Sequence, residues 1–320
     1  MVTIFTTDFF FSIFRIATPI LLATLAAVIG EKGGVSNIGL DGIMMMSALF
    51  GSLTAYWTGS WAAGLLVAVI VGVLEALLMG YFAFKLGTNI ILAGTAINMV
   101  GSGGTLFLVK VITNATTGKA LASTTGLITK SLQMPTWNIP LIQNIPVIGK
   151  VISGHCFLTY VAVLLVWLTW VFLYRTPLGM NIRSVGENPD AAQSVGISPL
   201  KIRYITIGIT GLFAGLAGAY MSMYYAMGWS QDMTAGRGFI ALAAQAMGQG
   251  EPLGSMFAAL IFGFAQALGI KFSAMGIDSN LVAPVPYIVT IISLIIFAFA
   301  VRSNEKKKHS AAALAEKKSE

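Results

Sequence analysis

Apolar stretches of about twenty residues recur along almost the whole chain, and that recurrence limits the fold more than any other feature. A bilayer's hydrocarbon core, ~30 Å thick, takes roughly 20 apolar residues of α-helix to cross. Such stretches run over 9–29, 35–57, 61–84, 89–112, 157–174 and 202–226. A shorter one, 238–247, is broken by Gly-Gln-Gly-Glu-Pro before 253–270, and the last covers 284–301. Only 10% of the 320 residues are charged and 56% are hydrophobic, with a mean hydropathy of +0.82. Soluble domains carry about a quarter charged residues, so this chain cannot cover a globular surface, and it is too apolar to be disordered. The expectation is an all-α polytopic membrane protein of about 8–9 transmembrane segments, some short and interrupted. The first span has no basic n-region and contains Arg15, so it does not read as a removable signal peptide.

The net charge of +7 is concentrated at one end. Residues 302–320 hold six cations and three acids, leaving thirteen basic and nine acidic residues in the 1–301 transmembrane part. A basic tail of this kind belongs to a cytoplasmic juxtamembrane segment and is no nucleic-acid footprint. The 175–201 loop carries Arg175, Arg183 and Lys201, and by the positive-inside rule it also lies in the cytoplasm. Counting crossings then puts a turn at Glu251-Pro252 inside, the long 113–155 loop outside and the N-terminus outside. The three lysines of that outer loop run against the rule.

Catalytic signals are missing. Gly118-Lys119 and Gly149-Lys150 lack both the Ser/Thr and the glycine spacing of a P-loop. Cys156 is the only cysteine, His155 and His309 fall in polar flanks, and no residues have metal-ligand spacing.

Several residues point to a transport path and its coupling. The segment Gly33-Gly34-Val35-Ser36-Asn37-Ile38-Gly39-Leu40-Asp41-Gly42 places four glycines, an amide and a carboxylate at the start of a span. The segment Gly236-Arg237-Gly238-Phe239-Ile240-Ala241-Leu242-Ala243 is its counterpart in the second half. Interrupted helices at matching places point to a central pathway, because irregular backbone at membrane depth must line a cavity or be buried in protein. Asn37, Asp41, Asn98 and Gln245 are the polar candidates for it, although Asn98 and Gln245 also suit plain helix–helix hydrogen bonding. Glu75 lies ~21 Å into its span; it either carries protons or makes a structural bond, with Arg15 or Asp41 as possible partners. In the 175–201 loop, Asn188-Pro189-Asp190 is a helix start and Gly196 a helix stop. A short surface helix there suits protein docking.

That loop, with Arg183, Glu187, Asn188, Ala191, Ala192 and Gly196, together with the two glycine segments, resembles the permease subunits of bacterial ABC importers. The resemblance is to the branched-chain amino acid and ribose type, over roughly residues 10–300. Within it the chain looks most like the nucleoside subgroup linked to basic membrane lipoproteins. The family's first patch carries Glu-Arg and Glu where this chain has Glu31-Lys32 and Asp41, changes that keep charge. The resemblance implies an ABC importer permease fold in the bacterial plasma membrane, with 175–201 as the loop that contacts the ATPase. It also implies an ABC ATPase partner that binds the ATP, no cofactor on this chain, a second homologous permease (a heterodimer) and an extracellular substrate-binding lipoprotein. Nucleosides come first as substrate by subgroup, simple sugars second and branched-chain amino acids third. A proton-coupled secondary transporter using Glu75 and Asp41 is the rival of a different class, and a channel a third, without a visible filter motif.

Overall fold

The computed structural model describes residues 6–140 and 148–275, with isolated positions from 284 to 295. The expected last span, 284–301, is described only at those isolated positions, and the basic tail lies outside the described residues. The described chain is almost wholly helical. In order come α1 (Thr7–Lys32), α2 (Leu40–Thr58), α3 (Trp61–Gly80), α4 (Ile90–Met99), α5 (Thr105–Thr117) and α6 (Ile148–Ile152). They are followed by α7 (Phe157–Arg175), α8 (Pro177–Glu187), α9 (Pro189–Ser194), α10 (Pro199–Tyr220), α11 (Arg237–Met247) and α12 (Pro252–Ala274). π-helical turns extend α3 through Lys85 and α10 through Tyr225, and another joins α4 to α5.

Among the described residues, six helical stretches are long and apolar enough to cross a membrane: Thr7–Lys32, Trp61–Lys85, Ile90–Thr117, Phe157–Arg175, Pro199–Tyr225 and Pro252–Ala274. Helix α2 and the half-length α11 fall on two more of the expected segments without meeting that measure. The second segment differs from expectation at its start: helix begins at Leu40, and residues 33–39 form a turn.

Helix α1 is the hub, 83% buried across its apolar window, whereas α3 is 28% buried. It packs on α7, α10, α11 and α12. Pro19 lies inside it and has no N–H to bond the Arg15 carbonyl; the Tyr220 hydroxyl donates to that carbonyl instead, at 3.2 Å. Helices α3 and α10 approach through glycines: a Cβ at Gly72 would stand 2.9 Å from the Gly215 Cα. Small residues allow this closeness where no hydrophobic effect drives helices together. The outer stripe of α3, Leu66, Ile70, Leu74 and Leu78, is exposed at four-residue spacing, as a lipid- or subunit-facing surface requires.

The described parts of the 113–155 region, 113–140 and 148–155, are more ordered than a polar loop. Helix α5 reaches Thr117, and β1 (Thr136–Trp137) pairs antiparallel with β2 (His155–Cys156), Thr136 opposite Cys156. Thr124 is fully buried; its amide donates to the Trp229 carbonyl at 2.8 Å and its hydroxyl pairs with Ser52 at 3.1 Å. His155, expected in a polar flank, is only 2% exposed and stacks on Phe11 at 3.9 Å.

Candidate functional site

Two polar constellations stand out. The first lies at the end of the bundle where α1 and α7 finish. The Thr176 hydroxyl accepts from the Gly179 amide at 3.1 Å and starts α8, with Pro177 at its first position. The Asn188 side chain accepts from the Asp190 and Ala191 amides at 3.1 and 3.0 Å and starts α9. These caps satisfy donors that a helix start otherwise leaves unpaired. The sequence predicts α9 but takes the segment before it as loop; the structure corrects this, because Thr176-Pro177 carries the same cap-then-proline signal as Asn188-Pro189.

Helix α8 buries Ile182 and Val185 in a small apolar cluster with Val28, Leu173, Ala192 and Ile202. Its other side, with the start of α9, forms an open groove lined by Met180, Arg183, Ser184, Glu187, Asn188 and Ala191. Ala192 points inward and is buried, and Gly196 ends α9 with φ +85°. The Arg183 Nε donates to the Leu173 carbonyl at 3.0 Å, and its guanidinium lies 4.5 Å from the centre of the Tyr174 ring. Arg183 is therefore anchored to the end of α7 while it borders the groove.

The second constellation sits where α2 and α11 begin. The Asn98 side chain donates to the Ile38 carbonyl at 2.9 Å and accepts from the Gly42 amide at 2.7 Å, clamping the start of α2 to α4. Asn37 is fully buried and donates to the Thr210 hydroxyl on α10 at 2.8 Å. The Asp41 carboxylate accepts from the Gly238 amide at 2.9 Å and from the Thr234 hydroxyl at 3.0 Å. A carboxylate at the start of α11 complements the partial positive charge there. The two interrupted segments, 193 to 197 residues apart in sequence, thus meet through Asp41.

Asn37, Asp41 and Asn98 come together, and the other two pathway candidates do not join them. Gln245 is at the far end of α11, beside Gly250. Glu75 is on α3, and the pair with Arg15 or Asp41, one alternative for it, does not form among the described residues, where its Oε2 is buried with no hydrogen-bond partner. Arg15 instead lies 5.2 Å from the centre of the Tyr225 ring.

Sequence reasoning passes over two further groups. Arg237 is 7% exposed, donates to the Met233 and Thr234 carbonyls at 3.0 and 3.2 Å, and lies 5.1 Å from the Tyr225 ring centre. It holds the turn that presents Thr234 and Gly238 to Asp41. Glu251 pairs with Lys32 at 3.2 Å and accepts from the Tyr174 hydroxyl, tying α1, α7 and the α11–α12 turn together. An acid among apolar helices shows its polarity in sequence but not its partner, which lies 219 residues away for Lys32. Among the described residues, no group of three or more His, Cys, Asp or Glu could hold a metal ion.

Compared with known proteins, residues 9–301 match the family described as the branched-chain amino acid transport system permease component. The chain belongs to this family. By this match it is a multi-pass membrane permease of the ABC transporter type, and its membrane-length helices agree with that. Among curated relatives, the guanosine ABC transporter permease NupQ of Bacillus subtilis is 37% identical over 292 residues, covering 87% of this chain and 88% of the relative. The nucleoside ABC transporter permease NupC of Lactococcus lactis is 32% identical, covering 88% and 89%. A putative glucose ABC transporter permease of Haloferax volcanii is also 32% identical, covering 84% of this permease and 78% of the relative. Each of these organisms holds a second, more distant relative at 24 to 25% identity. No solved structure matches.

Proposed function

We propose that this permease is the membrane subunit of an ATP-driven nucleoside importer, with 33–42 and 236–238 at its translocation path and α8–α9 as the surface that receives the ATPase. The observation that carries the substrate is the 37% identity, over nearly the full length of both chains, to a permease named for guanosine. ATP binding and hydrolysis belong to a partner subunit, since this chain has no P-loop sequence. The second relative in each organism supports a heterodimer of two permeases. An external binding protein would deliver solute at the end that carries 118–140. The Lys32–Glu251 end, where α7 ends at Arg175 and α8 carries Arg183, would face the cytoplasm, where cationic loops are favoured.

The groove of α8–α9 suits a protein contact because a capped, packed element offers fixed side chains. A few residues carry most of the energy of such contacts. Arg183→Glu and Glu187→Lys should each reduce uptake of tritiated guanosine about tenfold or more, a loss of ~1.4 kcal/mol or greater, and reduce ATPase recovered on the tagged permease. Normal values of both would remove the docking role. In wild-type cells, labelled glucose or leucine entering through this permease faster than guanosine would overturn the substrate.

A further inference from the structure

The turn between α1 and α2 does more than open the pathway. Gly34 has φ +67°, and a Cβ there would stand 3.1 Å from the Cα of Gly186, in the last turn of α8. From the other side, a Cβ on Gly186 would come within 2.9 Å of the Gly34 nitrogen and 2.8 Å of the Lys32 carbonyl carbon. Backbone here touches backbone, with no side chain between to yield. Beyond this contact the turn is bonded at each step: Asn37 to α10, Ile38 and Gly42 to Asn98 on α4, and Asp41 to the start of α11.

We propose that Gly34 and Gly186 form the joint that passes movement of α8–α9 to Asp41 and the start of α11. The proposal rests on α8–α9 being the ATPase-docking element. Backbone packed on backbone offers no side-chain rotamers to take up a displacement of α8, and interiors of this density transmit strain. The displacement therefore shifts the 33–39 turn. The hydrogen bonds of Asn37, Asn98 and Asp41 then carry that shift to two helix starts at once. Gly34 and Gly186 are positioning residues: each acts through the backbone it packs against.

The test separates docking from transmission. Gly186→Ala and Gly34→Ala should keep ATPase recovery on the tagged permease within roughly twofold of wild type while guanosine uptake falls about tenfold or more. Gly118→Ala is the control: it has a similar backbone, φ +71°, with nothing within 4 Å of an added Cβ, and it should transport normally. Uptake kept in both joint variants overturns the proposal, and so does loss of ATPase recovery in step with uptake. Failure of the docking reading has a different signature, because Arg183→Glu and Glu187→Lys would then be silent. If the joint variants do not fold, spin labels on exposed Ser36, Ser194 and, on α3, Leu66 test the unaltered joint. Between the nucleotide-free and ATP-trapped complexes, the Ser36–Ser194 distance should hold while Ser36–Leu66 changes by ~2 Å or more, the scale of helix shifts in such transitions. A changed Ser36–Ser194 distance, or two unchanged distances, overturns it.

Discussion

At the scale of single residues, sequence shows polarity and structure supplies the partner. Glu75 is conspicuous in sequence because an ionisable group within a span is rare. Its Oε2 meets no donor among the described residues, so it is no fixed part of the Asp41 constellation. Glu75→Gln should leave guanosine uptake and its pH profile unchanged, and Glu75→Leu should raise the melting temperature of the purified permease, since an unsatisfied buried polar group costs ~1–3 kcal/mol. Loss of uptake with an altered pH profile in Glu75→Gln would revive proton coupling. His155 makes the opposite lesson. Sequence placed it in a polar flank, whereas the chain buries it against Phe11. Its Nε2–H donates to the Val151 carbonyl at 2.8 Å, and its Nδ1 is buried with no partner among the described residues. Burial first, and then the charge of Arg15, hold its pKa below the ordinary value. The neutral form is the folded form, so its contribution is whole above the ordinary pKa and is lost as the pH falls below it. Melting temperature should therefore drop between about pH 7 and 5, with a limiting slope near 1.4 kcal/mol per pH unit for one proton. His155→Phe should flatten that slope; an unchanged slope would mean that other groups carry it.

At the scale of elements, the long spans were legible because twenty apolar residues have few alternatives, and the observed ends fall within a few residues of those expected. The short helices depended on caps. Asn188-Pro189-Asp190 revealed α9, and the matching Thr176-Pro177 would have revealed α8, whose apolar Ile182 and Val185 are too sparse to announce a helix without it. The order in 118–140 left no local signal, because Thr124 is held by Trp229, 105 residues away. Caps of this kind are worth ~1 kcal/mol. Asn188→Ala should speed amide exchange across α9 by about fivefold, that energy expressed as a population, and leave α10 unaffected. Equal exchange in variant and wild type would mean that packing of Ala192, and not the cap, holds the helix.

At the scale of the whole molecule, the folded chain gathers at one end the 175–201 segment and the Glu251-Pro252 turn, which the topology read from charge puts on one side. Lys32, Tyr174 and Glu251 are bonded together, and Gly186 of α8 sits on the backbone of Lys32. Thr124 and Trp229 meet beyond the other ends of the helices. A fold can show that two segments share an end without showing which compartment that end faces; the cytoplasmic assignment we propose rests on the positive-inside rule. Ser131 and Ser194 are both exposed. Cys156 is buried, which pushes its thiol up to about 12, so the native cysteine stays silent toward maleimides at neutral pH. In intact cells a membrane-impermeant maleimide should label Ser131→Cys and spare Ser194→Cys, and permeabilisation should expose the second. Labelling of Ser194→Cys alone in intact cells would turn the molecule over. The three lysines of the outer loop would then agree with the positive-inside rule, while Arg175, Arg183 and Lys201 would break it. The α8–α9 groove would lie outside, beyond the reach of any cytoplasmic ATPase, so this one labelling pattern decides the orientation and the coupling surface together.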